Sequence, residues 1–399
     1  EFRRVLFRSP VISVENALRS FSIPQIRLEE RLVDVDIAAY VQYKLRNSAV
    51  PQRYWSSILE AIPGRANGLF LYAKLSMDAF VELNADVDEV LKSLPTDLNV
   101  MYNDLLREHA RRSNVPDELQ LLLLEFVTHA TRPLRLLEIA EMVKTTHAPN
   151  RDRSLKETKD LVRSACGPLL EILPDETVSV IHHSFTEFLK GFTRLSHSGD
   201  SAYPVLRTGS TNKRLALACL DYLRSGCLDQ LKVPKRTSSS EFFNPRKQMQ
   251  SGIRLQFPFL EYAAENWYTH TRRATEAGTD MSSFYEFLDV FFADAQRFNA
   301  WLDIGWPAIG IQGITPLHVA AHAGLAGYAT HLFRKGEIGA DVRDKCGDTP
   351  LYWAATSGNA DVARILIANG ADPDGEQNEG YKPLHKAPVR TMTKLSKSC

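Results

Sequence analysis

The sequence has no excess charge of either sign. Lys plus Arg and Asp plus Glu number 48 each among 399 residues, so the formal net charge is zero. A basic excess is the footprint of chains that bind nucleic acid or membrane surfaces, and its absence argues against both. Cysteine is sparse: five residues, at 166, 219, 227, 346 and 399, form no CxxC pair. An odd count at wide spacing fits neither a disulfide framework nor a zinc site, and it points to a reducing, cytoplasmic compartment. Long apolar runs are missing too. The leucine run Leu121 to Leu124 falls far short of the roughly 20 residues a bilayer crossing needs. No apolar segment of signal-peptide type follows the basic start. No GxxxxGK[ST] phosphate loop and no GxSxG elbow occurs, so neither phosphoryl transfer nor serine-type acyl transfer has its usual machinery. The chain reads as non-enzymatic, with no cofactor and no metal site expected.

What is present is an ordinary apolar content of 44% with 24% charged residues, enough to bury a core across two or three domains. The opening EFRRVLFRS is basic and apolar without a face, and residues 1–9 are expected to be a non-native linker. Pro388 to Cys399 breaks a repeat pattern without completing it, so the far end is also expected to be artificial and the chain a fragment.

Residues 10–115 read as short helices. Val35, Ala38, Ala39, Val41 and Leu45 share one helical face; Trp55, Ile58, Leu59 and Ile62 continue the spacing until Pro63-Gly64 should stop it. Leu69 to Leu83 and Val87 to Leu94 follow, and Asp97 is placed to cap a helix through Met101 and Leu106. Residues 116–195 change rhythm. Helices are predicted over about 117–130, 136–143 and 155–166, then strands Leu169 to Leu173 and Thr177 to His182 joined by Pro174-Asp175-Glu176, then a last helix from Phe185 to Phe192. Three helices followed by a hairpin is the order of a winged helix. Residues 196–296 read as a helical connector, with Leu215 to Leu223, the segment after Phe257-Pro258-Phe259-Leu260, and Phe284 to Phe292 as its helices.

Residues 297–399 contain the clearest signal. TPLHVAA starts at Thr315, TPLYWAA at Thr349 and KPLHKA at Lys382, offsets of 34 and 33 residues. Thr315 and Thr349 sit where an N-cap hydroxyl accepts a backbone N–H, and Pro316 and Pro350 occupy the first turn, where no N–H is needed. Leu317, His318 and Leu351 complete the framework, small Ala320, Ala321, Ala354 and Ala355 permit close helix approach, and Gly324, Gly358 and Gly370 end helices. The pattern resembles the ankyrin repeat at nearly every framework position. The likeness implies a solenoid whose loop tips bind a protein partner. Arg343, Asp344 and Lys345 on one tip, Asp374 and Glu376 on the next, and Tyr352 are the expected contacts. Trp353 is expected to fill the core between repeats. His318 and His322 have the i, i+4 spacing of a zinc pair, but Val319 stands where a metalloprotease needs its Glu. Lys156, Lys159 and Arg163 share a face of the third helix in the winged-helix segment, where a DNA reader keeps its recognition helix; Glu157 and Asp160 interleave.

With these residues assembled, about 30 to 390 resembles the fungal NACHT–ankyrin proteins, signal-transducing ATPases of the STAND type that look like NOD-like immune receptors. Gly68-Leu-Phe-Leu-Tyr-Ala-Lys-Leu75 is similar to the tail of their nucleotide-binding module. Thr131-Arg-Pro-Leu-Arg-Leu-Leu-Glu138 and Val180-Ile-His-His-Ser-Phe-Thr-Glu-Phe-Leu189 are similar to their winged helix, of the type named after a GPI inositol-deacylase without its chemistry. Phe257-Pro-Phe-Leu-Glu-Tyr-Ala-Ala264 with Trp267 is similar to their connector. The resemblance implies a mainly α chain: helical NACHT tail, winged helix with a small β-hairpin, helical connector and ankyrin solenoid. It implies a regulatory segment that relays partner binding to a nucleotide-binding core this chain lacks, with oligomerisation of the parent. The pattern FxHxTFxEFL maps a phosphate-sensing His onto His182, with Val180 in place of the Phe. The alternatives are a plain ankyrin scaffold and a winged-helix DNA-binding regulator.

Overall fold

The computed structural model describes residues 30–82, 85–146, 152–193, 203–229, 256–306, 313–336, 338–375, 378 and 380–383. The fold is mainly α. The chain divides into two compact units between Met101 and Tyr102, within a helix and short of the expected boundary at 115.

The first unit holds α1 (Glu30–Arg46), α2 (Trp55–Ala66), α3 (Phe70–Val81), α4 (Val87–Ser93) and the start of α5 (Leu98–Ser113). Ile37, Val41 and Leu45 of α1 meet Ile58 and Ile62 of α2 and Tyr72, Met77 and Phe80 of α3 in a buried core. This is the amphipathic spacing read from the sequence, satisfied by three helices at once. Pro63 does not stop α2, which runs on to Ala66. The missing N–H forfeits one helical bond, and burial of Ile62 and Ala66 on either side of it offsets that loss. The stop comes instead from Asn67 and Gly68, both at positive φ (46° and 71°). Asp97 caps α5 as expected, its Oδ1 accepting from the amides of Asn99 (2.8 Å) and Val100 (3.0 Å).

The second unit begins with α6 (Asp117–His129), followed by β1 (Leu134–Arg135), α7 (Leu136–Thr146), α8 (Leu155–Cys166), β2 (Leu170–Ile172), β3 (Thr177–Val180) and α9 (His183–Leu189). The strands form an antiparallel sheet in the order β1-β3-β2, with Leu134 opposite Val178 and Leu170 opposite Val180. The expected hairpin is therefore a three-stranded sheet. Strand β3 ends at Val180, so His182 is not a strand residue; it caps α9. Consequently the rings of His182 and His183 do not diverge as strand neighbours would, and their centroids lie 5.0 Å apart. Arg132 grips Glu138 through two hydrogen bonds (2.6 and 3.0 Å), and Glu138 also accepts the Arg135 amide at 2.7 Å. That closed set explains why Thr131 to Glu138 makes a tight turn into α7.

Helix α10 (Thr208–Tyr222) packs along α11 (Leu260–Glu276), and α12 (Ser282–Ala293) and α13 (Ala295–Gly305) close over them. A buried hydrogen-bond chain ties this layer to the sheet-bearing segment. The Thr131 amide donates to Tyr262 Oη (3.1 Å), Tyr262 Oη bonds His270 Nε2 (2.8 Å), and His270 Nδ1 bonds Asn212 Oδ1 (2.8 Å). With the Asn amide oxygen as acceptor, Nδ1 carries the proton and Nε2 accepts, which fixes the tautomer. Burial, then the nearby Arg273 and His129, hold the His270 pKa down to about 3. Helix α13 lies inside the span expected for the repeats, yet Trp301 is buried with Trp267 and donates Nε1–H to the Ala264 carbonyl (3.0 Å). The last elements are α14 (Pro316–Ala323), α15 (Ala326–Lys335), α16 (Pro350–Ser357) and α17 (Ala360–Ala368), two successive helix pairs. No helix among the described residues is long and apolar enough to cross a membrane.

Candidate protein-interaction site

The two helix pairs are built by the same local chemistry. Pro316 and Pro350 take the first turns, and Gly324 and Gly358 end the first helices at φ 72° and 75°. Thr349 Oγ1 accepts the Tyr352 amide at 3.2 Å. At Thr315 the partner is His318, whose Nδ1 lies 3.2 Å from the Thr315 amide and 2.8 Å from its hydroxyl. His318 Nε2 faces the Asp348 carbonyl at 3.0 Å. A carbonyl only accepts, so Nε2 carries the proton and Nδ1 is the acceptor. Burial, against the smaller pull of that carbonyl and Asp344, lowers the His318 pKa and keeps the ring neutral. His318 thus staples one repeat to the next.

His322 is committed as well. Its Nδ1 bonds Ser357 Oγ at 2.8 Å, and its ring sits edge-on to Trp306, centroids 4.5 Å apart. The two histidines of the zinc-like spacing therefore serve different structural bonds. Among the described residues, no group of three His, Cys, Asp or Glu side chains is placed to hold a metal. Asn359 donates to the carbonyls of Ala321 (2.9 Å) and His322 (2.8 Å), filling acceptors that the end of α14 leaves open. Nothing in the repeat spacing alone singled out Asn359; the position following a helix-ending glycine is the signal.

The expected tip residues separate into two groups. Arg343, Lys345 and Asp374 are exposed. Arg343 donates to the Gly347 carbonyl (3.1 Å), and Asp374 Oδ1 accepts from Lys382 Nζ (3.2 Å). Asp344 does not belong with them. It is buried, and its carboxylate accepts from the amides of Cys346 and Asp348 (2.9 Å each) and from Trp353 Nε1 (3.2 Å). A carboxylate surrounded by three inward donors holds the loop in shape; the chain turns at Gly347, φ 78°, and carries Asp344 inside. Tyr352 is half-buried, and Trp353 fills the space between repeats against His318, His322 and Trp306. Glu376 lies outside the described residues. One acidic tip residue escaped sequence reasoning: Asp341 accepts the Asp372 amide at 3.1 Å, joining adjacent tips.

The opposite flank of the first pair is covered. Asp289 of α12 accepts from Tyr328 Oη (2.7 Å), His331 Nε2 (2.8 Å) and Lys335 Nζ (3.0 Å), all on α15. Burial works against the Asp289 carboxylate, but the three donors outweigh it and its pKa lies below the usual aspartate value. Beside this clasp, Tyr285 packs on Tyr328, and Gly327 lies where any Cβ would strike the Tyr285 hydroxyl. Helix α12 thereby covers this flank of the first helix pair.

The sequence of these helix pairs is similar to that of known proteins. Residues 317–390 match the family model for ankyrin repeats in three copies. The C-terminal part of the chain is an ankyrin-repeat array. The chain is 39% identical over 83 residues to the ADP-ribosylation factor GTPase-activating protein AGD4 of Arabidopsis thaliana, 20% of this chain and 10% of that protein. It is 33% identical over 85 residues to alpha-latrocrustotoxin-Lt1a of Latrodectus tredecimguttatus, 21% and 6% of the two chains. It is 33% identical over 78 residues to human ankyrin repeat domain-containing protein 13B, 20% and 12%. The chain spans about a tenth of the length of these curated relatives. Ankyrin repeats of this kind form a protein-interaction scaffold.

His182 occupies a separate place. It is exposed, and its Nδ1 accepts the Ser184 amide (3.2 Å) and meets Ser184 Oγ (2.8 Å), which in turn contacts Tyr102 Oη (2.9 Å). Partial burial and the neighbouring His183 lower its pKa, against the smaller pull of Glu187. The basic face of α8 is partly spent: Lys159 Nζ pairs with Glu176 at 2.7 Å, and Arg163 lies 3.7 Å from the same carboxylate.

Proposed function

We propose that this chain is a non-catalytic, cytoplasmic interaction and regulatory segment whose ankyrin tips bind a protein partner. One observation carries the reading. The array commits His318, His322, Asp344, Trp353 and Asn359 to its own framework while Arg343, Lys345 and Asp374 stand exposed on adjacent tips. A surface whose scaffold is satisfied internally can vary its tips without losing the fold. Reversing the charges of Arg343, Lys345 and Asp374 in the full chain should abolish partner recovery while leaving the helical signal intact. Partner recovery that survives the triple reversal would sink the proposal.

The finer part of the proposal is a relay in a STAND-type receptor. Residues 116–195 form a winged helix, supported by the order helix, strand, two helices and two strands in one antiparallel sheet. Partner engagement at the tips passes through the Asp289 clasp and the edge-on rings of Trp306, Trp301 and Trp267 to α11, then through the Tyr262–Thr131 bond to the winged helix. His182 faces the nucleotide of a preceding core, with Nδ1 held by Ser184 and Nε2 left for phosphate. Sequencing the full transcript tests this: a strand–GxxxxGK[ST]–helix upstream supports the relay, and its absence reduces the protein to a scaffold. The DNA-reading alternative loses ground because Lys159 and Arg163 are turned toward Glu176.

A further inference from the structure

A cleft of about 750 Å³ lies between α6, α7 and α10, away from the ankyrin tips. Its floor is apolar: Leu122, Phe126 and Ala218 are buried, with Leu121 and Leu217 half-buried on the walls. The lining positions recur at helical intervals. On α6 they run from Glu118 to Phe126 and on α10 from Arg214 to Asp221. At 1.5 Å per residue each wall is about 10 to 12 Å long, the span of two helical turns. Glu118, Arg214 and Asp221 of the lining are exposed, so the trough opens to solvent at its rim.

The rim has a sign. Glu118, Glu141 and Asp221 supply three carboxylates, against the cations Lys144 and Arg214. Arg214 is already paired with Glu125 at 2.6 Å. Glu141 is half-buried with its charge only partly solvated, and burial raises its pKa against the pull of Lys144. A cation arriving at the rim would restore what burial has taken from that carboxylate.

We propose that this trough receives a short basic amphipathic helix of a partner protein, its apolar stripe on Leu121 and Leu217 above the buried floor and its Lys or Arg side chains against Glu118 and Glu141. The helix-in-groove mode fits because the floor is apolar, the walls have helical periodicity and the rim is acidic. This surface is independent of the ankyrin tips, so one can fail without the other.

The test uses the full chain and a fluorescein-labelled synthetic helix of leucines on one face and lysines beside them, read by fluorescence anisotropy. Two controls are a scrambled peptide of the same composition and a version with Glu for every Lys. The lysine helix should bind saturably, and about tenfold more tightly than the scrambled peptide. Glu118→Lys with Glu141→Lys should weaken it about tenfold or more and strengthen the Glu version. That gain cannot come from misfolding. Equal binding of the scrambled peptide, or binding of the lysine helix unchanged by the double substitution, overturns the proposal. Complete displacement by spermine, an extended cation without an apolar stripe, would make this an organic-cation site and overturn it as well.

Discussion

Replacing Asp344 by Ala separates a framework residue from a binding residue. The substitution removes the acceptor for three donors: the amides of Cys346 and Asp348 and the indole N–H of Trp353. Hydrogen bonds to a charged group contribute about 1.5–3 kcal/mol each, and a buried donor left unpaired costs about 1–3 kcal/mol. The two amides lie in a loop that water can reach after relaxation, which places them at the low end. The Trp353 indole is 6% exposed and has no such recourse. A local loss of about 3–5 kcal/mol follows, without assuming strict additivity. Every 1.4 kcal/mol is about tenfold in an equilibrium, so amide exchange across 341–366 should accelerate by about a hundredfold or more. Hydrogen exchange with mass spectrometry on the full chain reads this directly. Arg343→Ala in the same assay should change local stability by no more than about 0.5 kcal/mol. Unchanged exchange in Asp344→Ala together with weakened partner binding would refute the reasoning, because Asp344 would then be a contact after all.

Other substitutions test the remaining joints. Gly327→Ala places a methyl group against the Tyr285 hydroxyl; the overpacking should cost about 1–3 kcal/mol and raise exchange in α12 and α15 while sparing α17. Acid should loosen the second unit before the carboxylates titrate. Burial, followed by Lys190 for His129 and by Arg273 for His270, holds the pKa values of these histidines to about 4 and about 3. Because these folded pKa values lie below the unfolded one, their contribution is intact above about pH 6.5 and is lost as pH falls toward 4. By pH 5 each costs up to about 2 kcal/mol, so urea midpoints should fall between pH 7 and 5, and flat midpoints would contradict the burial argument. The Asp289 clasp has the same sign in a lower window. With its pKa depressed, its contribution is present above about pH 3.9 and disappears only below that, so α12 should stay docked on α15 at pH 5.

Much of the fold was legible because it is local. Helix α8 runs from Leu155 to Cys166, the bounds its periodicity predicts, and the Thr-Pro starts and glycine ends of the repeats fall where their backbone chemistry requires. What was missed depends on distance in sequence. Strand β1 is two residues long, too short for any alternation, and exists because Val178 pairs with Leu134. Helix α13 packs on α11 because Trp301 reaches Trp267, which no neighbouring residue announces. Pro63 was given too much weight, since a buried face on both sides of it carries the helix through. At the candidate site the charged run Arg343, Asp344, Lys345 looked uniform. Only the turn at Gly347 and the reach of Trp353 reveal that the middle residue points inward. Asp289 could not have been found from the sequence at all, because its three partners lie on a helix about 40 positions away.

The most direct test of the central claim is site-specific photocrosslinking from Lys345 in the full chain, incubated with extract, with Val290 on the exposed face of α12 as a second crosslinking position. The account predicts a discrete protein adduct from position 345. That adduct should be lost when Arg343 and Asp374 are charge-reversed and should be absent from position 290. Adducts of equal yield from both positions, or none from 345 while the array remains folded, would contradict it.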